Sequence, residues 1–426
     1  MSSMPRRTAL KTLAAGGLTL AMPALLRAQS ASARVVVVGG GFGGATAARY
    51  LKKFSPQLRV TLIEPSPRFY TCPFSNLYLA GLREWESLGH GFDGLRAAGI
   101  EVIPAHARDI DGHGRTVTLS SGGKLAWDRL VLSPGIDMRW NALAGYDEAA
   151  AERAPHAWKA GPQTQLLRRQ LAAMPDGGTF VMVIPDNPFR CPPGPYERAA
   201  MVAHYFKHHN PRAKVLLLDA KDNFSKKPLF LQGWQALYGD MVEWVGLNDD
   251  GRVVSVGAKA LTVQTAFGQV HQADVLNVIP PQKAGWIAER AGVVDASGWV
   301  PVKPESFETT RVPGIYALGD ATQAAPMPKS AFSANVQGKM AAAAIAAELS
   351  GKPLPPAVYA NTCYSLLAPG YGISVAGVYR PEQGKLIEIP GSGGISPVDA
   401  NPAFRAAEAA YGDAWYAAIS ADIWGN

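Results

Sequence analysis

The chain has only three cysteines in 426 residues, at positions 72, 191 and 363. Three thiols cannot all pair with one another, so a scaffold stapled by disulfides is excluded and at least one cysteine is left over. Charge is also sparse, at 18% Asp, Glu, Lys and Arg. The formal charge of +7 leans on Arg6, Arg7, Lys11 and Arg27, which lie in an acid-free leader; without these four it is +3, with no Lys/Arg cluster behind it. That balance argues against nucleic acid as a partner. No His-Glu-x-x-His and no Gly-x-Ser-x-Gly is present, which removes the usual zinc-peptidase and hydrolase signatures. His208-His209 reads as a solvated helix end, so no metal site is expected. No Gly-X-Y period accompanies the 44 glycines and 33 prolines, and a 47% hydrophobic fraction marks a folded chain. The length predicts two or three domains.

Residues 1–33 read as an export leader: a polar start with Arg6-Arg7, an uncharged run from Thr12 to Leu26, then small residues from Ala28 to Ala33. The string Pro5-Arg6-Arg7-Thr8-Ala9-Leu10-Lys11 resembles the twin-arginine signal, with Ala9 where a larger apolar residue is commoner. The resemblance implies a periplasmic protein exported already folded, in a compartment that permits oxidised cysteines. The apolar run of 15 residues is short for a bilayer span of about 20. No later segment is long enough either, so the mature chain is expected to lack a transmembrane segment.

After the leader, Val35 to Val38 form a β-branched run that suits a strand buried on both faces. Gly39-Gly40-Gly41-Phe42-Gly43-Gly44 follows at once, and then a helical stretch to Phe54. Gly39, Gly41 and Gly44 occupy the three glycine positions of GxGxxG, where side chains would block the tight turn, the pyrophosphate and the close helix contact. A second strand, Arg59 to Ile63, ends in Glu64, twenty residues past Gly44 and placed to accept bonds from ribose hydroxyls. Strand, glycine turn, helix and carboxylate together predict dinucleotide binding.

The segment Thr309 to Ala321, with Gly319-Asp320-Ala321 at its end, resembles the second flavin-binding motif of the disulfide reductase superfamily. Leu130-Val131-Leu132-Ser133-Pro134-Gly135 resembles the strand and turn between that superfamily's FAD and second domains. The resemblance implies FAD as cofactor, with Asp320 at the ribityl chain. The Ala-rich stretch Ala331 to Leu349 predicts a helix whose positive end faces the flavin. A second GxGxxG for a nicotinamide is missing. The expected strand, Thr179 to Ile184, is followed by a loop holding Pro185, Pro188, Pro192, Pro193 and Pro195, which lack the N–H groups that would cradle a pyrophosphate.

Each cysteine sits in distinctive company: Tyr70-Thr71-Cys72-Pro73-Phe74-Ser75-Asn76, Cys191-Pro-Pro-Gly-Pro-Tyr-Glu197-Arg198, and Asn361-Thr-Cys363-Tyr-Ser. Together with the closing run Ile419 to Trp424, these segments resemble the flavoprotein subunit of flavocytochrome c sulfide dehydrogenase, over essentially the whole mature chain. The resemblance implies an 8α-S-cysteinyl link from Cys72 to FAD. It also implies a redox-active Cys191/Cys363 disulfide beside the flavin, although the two lie 172 residues apart and spacing alone does not join them. Hydrosulfide would open that disulfide to a persulfide and a thiolate, with Cys363 expected nearer the flavin. Glu197 is a candidate proton acceptor, or a first-turn carboxylate that complements the helix dipole. With no Cys-x-x-Cys-His in the chain, the haem would belong to a separate c-type cytochrome subunit. Two other readings stay open: sulfide:quinone oxidoreductase, or a non-catalytic periplasmic flavin electron-transfer subunit. Trp415 and Trp424 are candidates to cover the flavin or the cytochrome face, and Lys226-Lys227 reads as a solvated loop.

The expected fold is α/β, with two doubly wound Rossmann-like domains of disulfide reductase type and a small C-terminal α+β domain. The boundaries are 1–33 for the signal peptide, 34–150 with 284–353 for the FAD domain, 151–283 for a second Rossmann-like domain without a nicotinamide site, and 354–426 for a flavin and cytochrome interface domain. Asn401 to Ser420 is predicted as a helical pair.

Overall fold

Five parallel strands, in the order Ile315–Ala317, Arg129–Leu132, Arg34–Val38, Arg59–Ile63 and Glu101–Ile103, form the first sheet of the computed structural model, which describes residues 32–425. The export-leader reading falls on residues 1–33, of which 1–31 lie outside the described residues. Successive valines of Arg34–Val38 point to opposite faces: Val35 and Val37 enter one hydrophobic cluster, Val36 and Val38 another. Each is at most 7% exposed, so every valine contributes about 1.5–3 kcal/mol of burial, and none can be polar. The glycine turn leads into helix Phe42–Phe54. Helix Ala331–Leu349 lies against it so closely that a Cβ on Gly338 would come within 2.7 Å of the Gly43 carbonyl oxygen.

A second parallel sheet runs Val242–Val245, Lys214–Asp219, Thr179–Ile184, Val275–Val278. The expected strand Thr179–Ile184 is present, and helix Gly194–His209 follows the proline-rich loop. At the carboxyl end of this sheet, Asp219 is fully buried and accepts bonds from Tyr196 Oη (2.6 Å), Lys221 Nζ (2.6 Å) and Trp244 Nε1 (3.0 Å). Tyr196 in turn stacks on Phe224 with ring centroids 3.5 Å apart. Aromatic side chains of the chain itself thus pack around Asp219 at the carboxyl end of this sheet.

The C-terminal part pairs the antiparallel strands Tyr359–Ala368, Tyr371–Glu382 and Lys385–Glu388 with one long helix, Pro402–Trp424. The helical pair expected over Asn401 to Ser420 is therefore corrected to a single helix. Asn401 caps it, accepting the Phe404 N–H at 2.9 Å, and Pro402 sits at its first turn. Gly412 lets the helix lie on Tyr364, whose Cβ would be 3.3 Å from a Cβ at 412. Among the described residues, no helix is long and apolar enough to cross a membrane.

Candidate functional site

A cavity of about 720 Å³ opens between the glycine turn, the proline-rich loop and strand Tyr359–Ala368, and Cys72, Cys191 and Cys363 all line it. Cys191 and Cys363, 172 residues apart in sequence, thus line the same cavity, and each of the three thiols is unbonded and partly buried. Glu197, Asp320, Glu64 and Trp415 line it as well.

Cys191 has φ +57°, a left-handed backbone that costs a side-chain-bearing residue about 1 kcal/mol or more. Two bonds hold it there: its N–H donates to the Lys329 carbonyl (2.9 Å), and its carbonyl accepts from Gly194 N–H (2.8 Å) at the start of helix Gly194–His209. Gly194 is bare for a reason, since a Cβ there would stand 2.9 Å from Cys191 Sγ. Burial pushes the Cys191 thiol far up, and the neighbouring charges of Cys363 and Glu197 push the same way.

Cys363 lies in the middle of its strand, opposite Val375. Asn361 Nδ2 donates to Cys363 Sγ at 3.3 Å, and the Asn361 amide is oriented by Ser330 Oγ (2.5 Å) and Ser333 Oγ (3.2 Å), both bonded to its Oδ1. Ser330 is also the N-cap of helix Ala331–Leu349, so the helix start and the cysteine are tied together. Cys72 Sγ accepts the Ala160 N–H at 3.3 Å.

Glu197 is held by Asn76 Nδ2 (2.7 Å) and the Leu366 N–H (2.9 Å). Burial raises its carboxyl above the usual range, and those two bonds oppose the rise. Asn76 is positioned in turn by Arg198 Nε (3.1 Å). Arg198 is 2% exposed and also donates to Asn277 Oδ1 (3.0 Å) and to the carbonyls of His156 and Ala157. Burial brings its guanidinium down to about 10, so it stays cationic at neutral pH.

Sequence reasoning missed Lys226. Far from lying in a solvated loop, it is 3% exposed, and its Nζ donates to the Cys363 carbonyl (3.0 Å) and Ser365 Oγ (2.8 Å). Its partner residues are 137 and 139 positions away, so no local signal announced the contact. Trp424 is a second correction: it covers no partner face, being fully buried, stacked on His90 (4.5 Å) and donating from Nε1 to the Gly40 carbonyl (3.2 Å). His204 and His208 stand one turn apart with ring centroids 4.6 Å apart, yet among the described residues no three His, Cys, Asp or Glu side chains gather as metal ligands do.

The cavity suits a flavin dinucleotide. Gly39 (φ +101°) passes under Ser133 so tightly that a Cβ would be 2.3 Å from the Ser133 carbonyl oxygen, and a Cβ on Gly44 would be 2.0 Å from that of Gly39. A Cβ on Gly41 would meet the Phe69 ring at 3.0 Å. The start of helix Phe42–Phe54 therefore faces the cavity as bare backbone, ready for phosphate. Glu64, at the end of its strand, accepts Gly40 N–H (2.8 Å) and Ser66 N–H (3.0 Å) and keeps lone pairs for further donors. Asp320 Oδ1 and Arg190 Nη2 are buried in the same region with no hydrogen-bond partner among the described residues, as expected of groups meant for a ligand. Burial raises the Asp320 carboxyl, while Arg190, 3.9 Å away, opposes that.

Two parallel-sheet cores, a glycine turn and an aspartate at the opposite wall define a flavoprotein of the disulfide reductase type. Residues 33–173 match the pyridine nucleotide-disulphide oxidoreductase family model. Residues 164–280 match the central part, and residues 355–424 the flavin-binding part, of the flavocytochrome c sulfide dehydrogenase flavoprotein chain. A sulfide dehydrogenase flavoprotein chain of Chlorobaculum thiosulfatiphilum is 67% identical over 43 residues, 10% of this chain and 90% of that one. The mitochondrial sulfide:quinone oxidoreductase of Mus musculus is 22% identical over 311 residues, 71% of this chain and 68% of that one. The solved sulfide:quinone oxidoreductase of Aquifex aeolicus shares the fold, with TM-score 0.67 at 19% identity over 93% of each chain. The chain belongs to the flavocytochrome c sulfide dehydrogenase flavoprotein family, within the sulfide-oxidising FAD proteins of the pyridine nucleotide-disulfide oxidoreductase superfamily.

Proposed function

We propose that this protein is the flavoprotein subunit of a sulfide dehydrogenase, oxidising hydrogen sulfide to sulfur or polysulfide through a Cys191/Cys363 redox disulfide and passing the electrons to a c-type cytochrome on another chain. The observation that carries this reading is the convergence of Cys191 and Cys363 on one cavity with the glycine turn and Asp320. FAD, when bound, supplies a two-electron sink that can release electrons singly.

The chain's own residues do the rest. Hydrosulfide attacks one sulfur of the disulfide, leaving a persulfide on one cysteine and a thiolate on the other. Glu197, fixed by Asn76 and the Leu366 N–H, takes the proton from H₂S. Glycines 39, 41 and 44, Glu64 and Asp320 hold the dinucleotide, and Cys72 is the thiol we propose as its covalent anchor. Acid precipitation checks that anchor: flavin colour stays with the wild-type pellet and moves to the supernatant in Cys72→Ala. A periplasmic location reached by the twin-arginine route is part of the proposal and rests on the leader at residues 1–33.

Replacing Glu197 by Gln lowers the rate of flavin bleaching by sulfide about 10²-fold at neutral pH. In the wild type the base is lost as pH falls through the raised Glu197 value. As pH rises, sulfide arrives already ionised and the deficit of the variant narrows. Stopped-flow reduction across pH checks this; a deficit constant with pH would assign Glu197 a purely structural role.

Anaerobic sulfide titration of the holoprotein, followed by addition of oxidised cytochrome c or of a short-chain quinone, tests the whole reading. Stoichiometric bleaching with reoxidation by cytochrome c supports it. Reoxidation by quinone alone would make the protein a sulfide:quinone oxidoreductase, and no bleaching would leave the non-catalytic electron carrier.

A further inference from the structure

We propose that Lys226 is a positioning residue that makes Cys363 the sulfur leaving with the electron pair, so that hydrosulfide attacks Cys191. The inference rests on the sulfide-oxidation reading above and deepens it.

Lys226 is buried, and among the described residues no carboxylate lies within ion-pair distance of it. A buried ammonium is strongly unfavourable unless negative charge lies near it, and a thiolate formed at Cys363 would add to the more distant pull of Glu197 and Glu408. Its backbone is also held at φ +65°, where helix Lys227–Tyr238 begins, and its Nζ donates to the carbonyls of Cys363 (3.0 Å) and Ile373 (3.5 Å) and to Ser365 Oγ (2.8 Å). The cation is therefore anchored to the backbone of the very residue whose sulfur faces the cavity. Asn361 Nδ2 adds a donor aimed at Cys363 Sγ itself, 3.3 Å away.

Cys191 has the opposite surroundings. Burial and the charges of Cys363 and Glu197 disfavour its thiolate against the opposing pull of Arg190, and Lys226 makes its hydrogen bonds to the Cys363 strand rather than to Cys191. In disulfide exchange the sulfur that better carries negative charge leaves. When HS⁻ attacks Cys191 Sγ, a new S–S bond forms there and the Cys191–Cys363 bond breaks. Cys363 departs as thiolate with the bonding pair; the disulfide is reduced by two electrons and the sulfide sulfur is oxidised by two. The persulfide proton stays with the outer sulfur or passes to Glu197.

The charge on Lys226 is itself titratable. Burial brings its ammonium down to about 8, against the pull of Cys363 on strand Tyr359–Ala368, Cys191 on the proline-rich loop, Glu197 on helix Gly194–His209 and Glu408 on helix Pro402–Trp424. The wild type thus loses the cation as pH rises through about 8, whereas an arginine at this position would keep it.

The test uses holoprotein with its cysteines oxidised, given one equivalent of sulfide, alkylated and digested for mass spectrometry. The extra sulfur atom is expected on the Cys191 peptide and the plain alkyl group on the Cys363 peptide. Lys226→Met is expected to slow sulfide-driven bleaching roughly 3- to 30-fold and to spread the extra sulfur over both cysteines. Lys226→Arg is expected to restore the rate, with its ratio to wild type rising above about pH 8. An extra sulfur on Cys363 in the wild type overturns the inference without needing any variant to fold, as does a Met variant that matches the wild type in rate and labelling. Absence of extra sulfur on either cysteine, with no bleaching, overturns the sulfide reading itself.

Discussion

Serine at position 191 or 363 is expected to reduce the rate at which sulfide bleaches the flavin by at least about 10³-fold, while the holoprotein keeps its oxidised absorption spectrum. The two halves of this expectation come from different parts of the structure. Both thiols are only partly buried, and serine differs from cysteine only by an oxygen in place of the sulfur, so neither change opens a sizeable cavity. Neither cysteine contacts the glycine turn or Asp320 through any hydrogen bond, so flavin binding should survive. The chemistry does not survive, because no disulfide can form for hydrosulfide to attack. Each single variant should be as inactive as the double variant, since the two sulfurs act as one unit. Variants that bleach as fast as the wild type would show that sulfide reaches the flavin directly.

Alanine at position 44 is expected to yield protein without flavin, and apoprotein destabilised by about 3 kcal/mol or more. The new methyl would stand 2.0 Å from the Gly39 carbonyl oxygen and 3.1 Å from Ser133 Cβ. Nothing there is the free end of a side chain. Gly39 is fixed by its own N–H bond to the Ile63 carbonyl (2.9 Å), and Ser133 by the bond from its N–H to the Val38 carbonyl (2.9 Å). Relief would require pulling helix Phe42–Phe54 off the sheet, which would break its contact with helix Ala331–Leu349. Flavin content after purification and the thermal midpoint measure the outcome. A Gly44→Ala protein with full flavin and an unchanged midpoint would mean that the turn opens in solution.

Much of the cofactor half of the site was legible because its signals are local. Val35 to Val38, the glycines and Glu64 fall within 30 residues, and each answers a steric or hydrogen-bonding demand that only one or two residue types meet. Asp320 is readable for the same reason, as the end of a short strand. The sulfur half is different. Glu197 is defined by Asn76 and Leu366, and Lys226 by Cys363 and Ser365, all more than 120 positions away. A lysine followed by another lysine looks solvated from any window of sequence; only the packing of helix Lys227–Tyr238 against strand Tyr359–Ala368 reveals it as buried. In sequence Trp424 reads as a candidate cover for the flavin or cytochrome face, with no signal that its partners, His90 and Gly40, lie more than 330 positions away.

The indole of Trp424 resting on the Gly40 carbonyl joins residues 384 positions apart in the chain. The first sheet takes its edge strand from Ile315–Ala317, and its glycine turn takes its indole cover from Trp424. A chain truncated inside helix Pro402–Trp424 would lack this cover, so the first nucleotide-binding turn is completed by the last turn of the last helix.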